Sequence, residues 1–227
     1  MNNEPDDSDL LRRWAARRDE AAFGELVRRH VDLVYGCALR RLAGDAHLAK
    51  DVTQLVFCDL ARRAGGLAER AVLGGWLHTS TRFAAAKAVR GEQRRRAREE
   101  AAFAMNANDD AAINWERLRP VLDEAIDELG EQDREAVVLR FFEERSFAEI
   151  GARLHLTENA ARMRVERALE KLRARLGRRG IGSTVAALGV ALAGNAVLAA
   201  PVGLAGAVTT SAVASATTAG MALTWLG

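Results

Sequence analysis

Apolar residues recur at spacings of three and four along most of this chain, and strand-like alternation persists nowhere, so the pattern predicts an all-α protein. The first run passes through Phe23, Leu26, Val27, Val31, Val34, Tyr35 and Leu39, with Ser8 or Asp9 able to cap its start and Gly44-Asp45 breaking it. A second helix follows with Leu48, Val52, Leu55, Val56 and Leu60 as its buried stripe. Gly65-Gly66 and Gly74-Gly75 punctuate the next connection, and a third long helix starts near Trp76. These elements predict a compact helical domain over about residues 8–100. Residues 101–114 hold few large apolar groups and read as a linker.

A second helical domain is expected over residues 115–179. Val121, Leu122, Ala125, Ile126 and Leu129 form one apolar stripe, ended by Gly130. Ala136–Phe142 comes next, then a turn around Glu143–Arg145. Phe147, Ile150, Gly151 and Leu154 fall on one face of a short helix, His155-Leu156 makes a turn, and Thr157 suits the N-cap of a longer helix. In that last helix Ala161, Val165, Ala168, Leu169, Leu172 and Leu176 make a continuous apolar stripe. The layout over Ser146–Arg175 is that of a helix-turn-helix, whose second helix can enter a DNA major groove. At about 100° per residue, Asn159, Met163, Glu166 and Arg167 lie opposite the stripe, flanked by Arg162 and Arg164. Such a face can read base edges at its centre and hold phosphates at its flanks. A helical hairpin packed against another protein would show the same apolar pattern.

The net charge of +2 hides segregation. Seven bases lie between Arg82 and Arg98 against Glu92 alone, and eight between Arg162 and Arg179 against Glu166 and Glu170. The stretch between these blocks, Glu99–Glu149, is acidic. Two separated basic blocks suggest two polyanion-facing patches, although solvation alone produces charge runs too. Cys37 and Cys58 have neither disulfide-framework nor zinc-knuckle spacing. The four histidines are scattered, and no phosphate-cradling glycine loop, nucleophile elbow or metal spacing occurs. An enzyme is therefore not expected, nor a metal or other cofactor. The acidic start, Met-Asn-Asn-Glu-Pro-Asp-Asp, is the opposite of a secretory signal and predicts a cytoplasmic protein body.

The run Leu129-Gly-Glu-Gln-Asp-Arg-Glu-Ala-Val-Val-Leu-Arg-Phe-Phe142, with Ser146-Phe-Ala-Glu-Ile-Gly151 and Thr157-Glu-Asn-Ala-Ala-Arg-Met-Arg-Val-Glu-Arg-Ala-Leu-Glu-Lys-Leu-Arg173, resembles region four of the extracytoplasmic-function (ECF) sigma factors of bacterial RNA polymerase. Asp51-Val-Thr-Gln-Leu-Val-Phe57 is similar to their region two, and Trp76-Leu-His78 to their promoter-melting segment. The resemblance spans about residues 9–176 with both regions in order. It implies core RNA polymerase and promoter DNA as partners, with region two at the minus-ten element and region four at the minus-thirty-five element. It leaves control by an anti-sigma factor or by the tail open. Asp51, Gln54 and Cys58, on the helix face away from Leu48, Val52 and Leu55, would dock polymerase, or be a solvated face. Trp76 would stack on exposed bases or belong to the core, while Arg82, Lys87, Arg90, Arg94 and Arg95 would hold phosphates. One departure stands out: many family members carry Asn near the position of Phe83, which implies a divergent subgroup. A free-standing helix-turn-helix regulator is the alternative, and it would need no docking face.

Residues 181–227 carry no charge at all. Ile181–Ala200 is long enough to cross a bilayer, with arginines before it. However, seven of those twenty residues are Ile, Val or Leu, and they contribute only about −2 to −4 kcal/mol of insertion free energy. Three glycines, Asn195, Ser183 and Thr184 erode that gain. Small residues at close spacing could instead favour tight helix pairing, and the tail is expected to be either membrane-associated, with Pro201–Gly227 able to return as a hairpin, or a soluble or disordered Ala/Gly/Thr-rich appendage.

Overall fold

A computed structural model describes the backbone over residues 5–69, 72–96, 115–195 and 198–223, and the side chains over the same ranges less 91–96, 116–117 and 217–223. The linker expected at 101–114 lies outside the described residues. Those described are helical with no strand: α1 (Asp7–Arg17), α2 (Glu20–Arg41), α3 (Ala46–Leu67), α4 (Leu73–Arg96), α5 (Trp115–Asp127), α6 (Glu131–Val137), a π-helical turn (Val138–Phe142), α7 (Phe147–Leu154), α8 (Glu158–Arg178), α9 (Val185–Asn195) and α10 (Leu204–Leu223).

Helices α1–α4 pack around one another. The first apolar run is two helices rather than one. Arg18 takes a left-handed conformation (φ 52°) that ends α1, and Asp19 caps α2 by accepting from the Ala22 N–H. Asp6, not Ser8 or Asp9, caps α1. Trp14 then folds α1 onto the rest: it stacks near Phe23 and donates its indole N–H to the Ala61 carbonyl at 2.9 Å. The glycine pairs also differ from expectation. Gly65-Gly66 lie inside α3 and Gly74-Gly75 inside α4, so neither pair is a connection.

Helices α5–α8 form the second group. Val138–Phe142 inserts a π turn after α6, and Val138, Leu139, Phe141 and Phe142 are all buried. The α7 and α8 bounds follow the expected pattern closely. Ser146 and Glu149 form a reciprocal capping box at the start of α7, and Thr157 caps α8 through the Ala160 N–H. Gly151 is needed where the two helices meet: a Cβ there would stand 2.7 Å from the Leu156 carbonyl oxygen. All six residues of the expected α8 stripe are buried.

The uncharged tail folds back over both groups. Leu188 and Leu192 of α9 are buried, and Gly189 lies against Leu169 of α8. Leu198 lies against Gly36 of α2, and the Ala200 N–H donates to the Asp32 carboxylate at 2.7 Å. Helix α10 then packs along α2 and α3 through Val208, Ala212 and Ala216. Small side chains on α10 let the helix axes come close. Among the described residues, no helix is long and apolar enough to cross a membrane.

Candidate nucleic-acid interface and polymerase-docking face

The buried stripe of α8 dictates what its other side presents. With Ala161, Val165, Ala168 and Leu172 turned inward, Asn159, Arg162, Met163, Glu166 and Arg167 all stand exposed. Met163 is 46% exposed at the centre of this face. The Arg167 Nε donates to the Met163 carbonyl, which sets the guanidinium along the helix surface. Arg162 lies over the Phe147 ring, 5.0 Å from its centroid. Arg164 is different. It is half-buried and hydrogen-bonded to the Gln132 side chain on α6, so it braces two helices as well as flanking the exposed face.

A second surface lies between α3 and α4. Leu55, Val56, Trp76, Thr79, Ser80, Phe83 and Ala84 line a groove of about 670 Å³ that is largely apolar, with Arg62, Arg63 and Lys87 on its rim. Phe83 is 60% and Leu55 56% exposed. Sequence reasoning placed Leu55 in the buried stripe and Cys58 on the open face, and the structure reverses both. Cys58 is only 8% exposed, because α3 is enclosed by α1, α2, α4 and α10 and its buried arc is far wider than one stripe. Cys58 is thereby withdrawn from the docking face, while Asp51 and Gln54 remain exposed on it. Trp76 is intermediate: it packs on the core, as one reading expected, and also borders the groove.

Along α4, Lys87 and Arg90 are exposed. Arg82 sits over the Phe83 ring at 4.5 Å, and its Nη1 is 3.8 Å from Asp127. The side chains of Arg94 and Arg95 lie outside the described residues.

Between the two helix groups runs a seam that the apolar pattern did not announce. Arg40 of α2, fully buried, grips Asp123 of α5 with Nε and Nη2 at 2.8 and 3.1 Å. His78 of α4 reaches the same carboxylate at 3.2 Å, and Arg41 bonds Asp127 at 2.6 Å. Burial opposes the charged carboxylate, but Arg40 and His78 outweigh it and hold Asp123 well below the usual carboxylate range. Burial likewise opposes a charged His78, yet Cys37 and Asp123 beside it push it up to about 9. Asp7, His30, Glu143 and Arg153 form a second, looser cluster, with His30 Nε2 2.8 Å from Asp7 and Arg153 3.7–3.8 Å from both carboxylates. Close approach completes the seam: a Cβ on Gly74 would meet the Glu143 carboxylate at 2.0 Å.

Ligand atoms of Cys37, His78 and Asp123 lie within 4.8 Å of one another, a spacing that also suits a metal ion. Two guanidiniums already contact these ligand atoms, Arg40 on Asp123 and Arg41 on Cys37 Sγ at 3.3 Å. A dication would be repelled by both, so the cluster is an ion-paired seam.

Comparisons with known proteins identify both helix groups. Residues 26–95 match Sigma-70 region 2, and residues 125–174 match Sigma-70, region 4. The chain is 38% identical over 160 residues to the RNA polymerase sigma factor CarQ of Myxococcus xanthus, covering 69% of this chain and 90% of that one. It is 36% identical over 168 residues to the ECF RNA polymerase sigma factor SigE of Mycolicibacterium smegmatis, covering 70% of this chain and 64% of SigE, a little under two thirds of that relative's length. To the ECF RNA polymerase sigma factor SigK of Mycobacterium tuberculosis it is 30% identical over 175 residues, covering 74% and 92%. With both regions matched in order on an all-helical fold, this chain belongs to the ECF sigma factors, the non-enzymatic DNA-binding proteins that direct transcription initiation by bacterial RNA polymerase.

Proposed function

We propose that the outward face of α8 reads the upstream, minus-thirty-five element of a promoter, that the α3–α4 groove takes the opened minus-ten element, and that Asp51 and Gln54 contact core polymerase. The observation that carries this reading is the exposed set Asn159, Met163, Glu166 and Arg167 opposite a fully buried stripe. Asn and Arg match adenine and guanine edges, and Glu166 accepts from a cytosine amino group. Arg162 and Arg164 hold flanking phosphates, with Arg164 first exchanging its Gln132 partner. In the groove, the exposed Phe83 ring and the edge of Trp76 offer stacking surface for unpaired bases and Lys87 on its rim supplies a cation for the backbone, with Arg82, Arg90, Arg94 and Arg95 as further phosphate contacts from elsewhere on α4. Phe83 in place of the asparagine common in the family favours stacking over hydrogen bonding at that position.

The division into a region-two-like domain over 8–100, a linker over 101–114, a region-four-like domain over 115–179 and a tail over 181–227 is supported by the matches of residues 26–95 and 125–174 to the two regions and by the denser packing within α1–α4 and within α6–α8 than across the seam. Helices α9 and α10 each seat one buried stripe on protein, Leu188 and Leu192 on α9 and Val208, Ala212 and Ala216 on α10, which supports a seat for the tail without a membrane or an anti-sigma partner. Run-off transcription with purified core polymerase tests the reading. Specific transcripts should require this chain and fall steeply with Asp51→Ala/Gln54→Ala. Transcription independent of that face would support a free-standing regulator instead.

A further inference from the structure

The uncharged tail is the one large element that promoter reading leaves without a task. Its course is specific. Helix α9 sits on α8 and the π turn, residues 198–200 cross α2 at Gly36 and Asp32, and α10 lies along α2 and α3. The tail is therefore anchored at one end on the region-four helices and at the other on the region-two helices.

The distances decide what this does. Elements named minus-ten and minus-thirty-five are about 25 base pairs apart, which at 3.4 Å per step is roughly 85 Å. A folded chain of about 200 residues has a radius of gyration near 16 Å, so the closed molecule is on the order of 45 Å across. It cannot touch both elements until its halves separate. The chain from Arg96 to Trp115 can extend to about 60 Å and so permits separation. The connection from Asn195 to Leu204 extends to about 30 Å at most, and the hold on Asp32 and Gly36 shortens it further. With both α9 and α10 seated, the halves cannot move far enough apart.

We propose that the tail is an intramolecular strap that keeps region two and region four closed on each other, and that α10 must leave α2–α3, or α9 must leave α8, before the promoter is engaged. This rests on the two-element reading above. The strap acts through its length, so lengthening it should relieve inhibition while leaving every contact in place.

The test inserts about forty Gly/Ser residues between Asn195 and Ala196 of the full chain, after the exposed end of α9 and before the hold on Gly36 and Asp32. Binding of purified core polymerase together with promoter DNA should tighten about ten-fold over the parent chain, with the melting temperature unchanged. Asp32→Ala, which removes the acceptor of the Ala200 N–H, should move affinity in the same direction by less. Unchanged affinity in the insertion variant overturns the strap. If no chain binds polymerase, including one ending at residue 180, the two-element reading fails, and small-angle scattering then decides on the strap alone. In an Asp123→Asn background, a larger radius of gyration with the insertion than without it supports the strap, and equal radii overturn it.

Discussion

Arginine does opposite things in two parts of this molecule. At the seam, Arg40 has no exposed side-chain surface and grips the Asp123 carboxylate on the other helix group. On α8, Arg162 and Arg167 are exposed and rest on an aromatic ring and a carbonyl. A desolvated guanidinium must keep its partner, because nothing else can compensate its charge. A solvated one exchanges partners at little cost, which is what phosphate and base contacts require. Exposure, not residue type, divides the charges that hold the two helix groups together from those proposed to read DNA.

The largest expected effect breaks the seam. Asp123→Ala leaves Arg40 and His78 charged and buried without their carboxylate, and should cost about 3–5 kcal/mol in urea denaturation. A loss below about 1 kcal/mol would mean that the seam is wet and the contrast with α8 false.

Next comes pH. His78 is raised from its ordinary 6.5 to about 9, so its contribution is complete below pH 6.5 and fades as pH rises towards 9. Asp123 is lowered, so its contribution is complete above the ordinary carboxylate range and is lost in acid. Stability should therefore peak between about pH 4 and 6.5, and His78→Gln should flatten the alkaline limb of the melting profile. The groups facing His78 are Cys37, Asp123 and Asp127, with Arg40 and Arg41 behind them.

Gly151→Ala sharpens the other side of the comparison. It forces a methyl group against the Leu156 carbonyl and should lower region-four stability by about 1–3 kcal/mol with the seam intact. Arg167→Ala should leave the melting temperature unchanged and relax preference at one base position by about 1–3 kcal/mol in a randomised-promoter selection. The smallest effect is expected from Glu170→Ala, which frees an exposed Arg173 and should not move the melting curve measurably.

Much of this was legible in the sequence, and the reason is periodicity. The bounds of α7, the cap at Thr157 and the α8 stripe all follow from spacings within twenty residues. The split between α1 and α2 was missed because the apolar rhythm continues across it, although Asp19 followed by Glu20 is a start signal. Cys58 was misplaced because a single-stripe reading assumes one neighbour, and α3 has four. The seam links residues about 80 positions apart, which no local pattern records. One trace of it was visible: Asp123 interrupts the apolar run Val121-Leu122…Ala125-Ile126, a charge on a face that was to be buried. The tail misled through composition. Uncharged Ala, Gly and Thr suit a bilayer poorly and a close helix contact well, and only the fold distinguishes them.

The seat of α10 has a consequence in time. Its partners on α2 and α3 are made roughly 150 residues earlier, and region four is complete before α10 is begun. At about 5–20 residues per second, the ribosome needs several seconds to add the stretch from Ile181 to Leu223 that holds α9 and α10. During those seconds a nascent chain carries both DNA-contacting regions and no strap. The share of protein that meets polymerase unrestrained would then follow the rate of synthesis, not the amount accumulated, so a burst of translation would count for more than a standing pool.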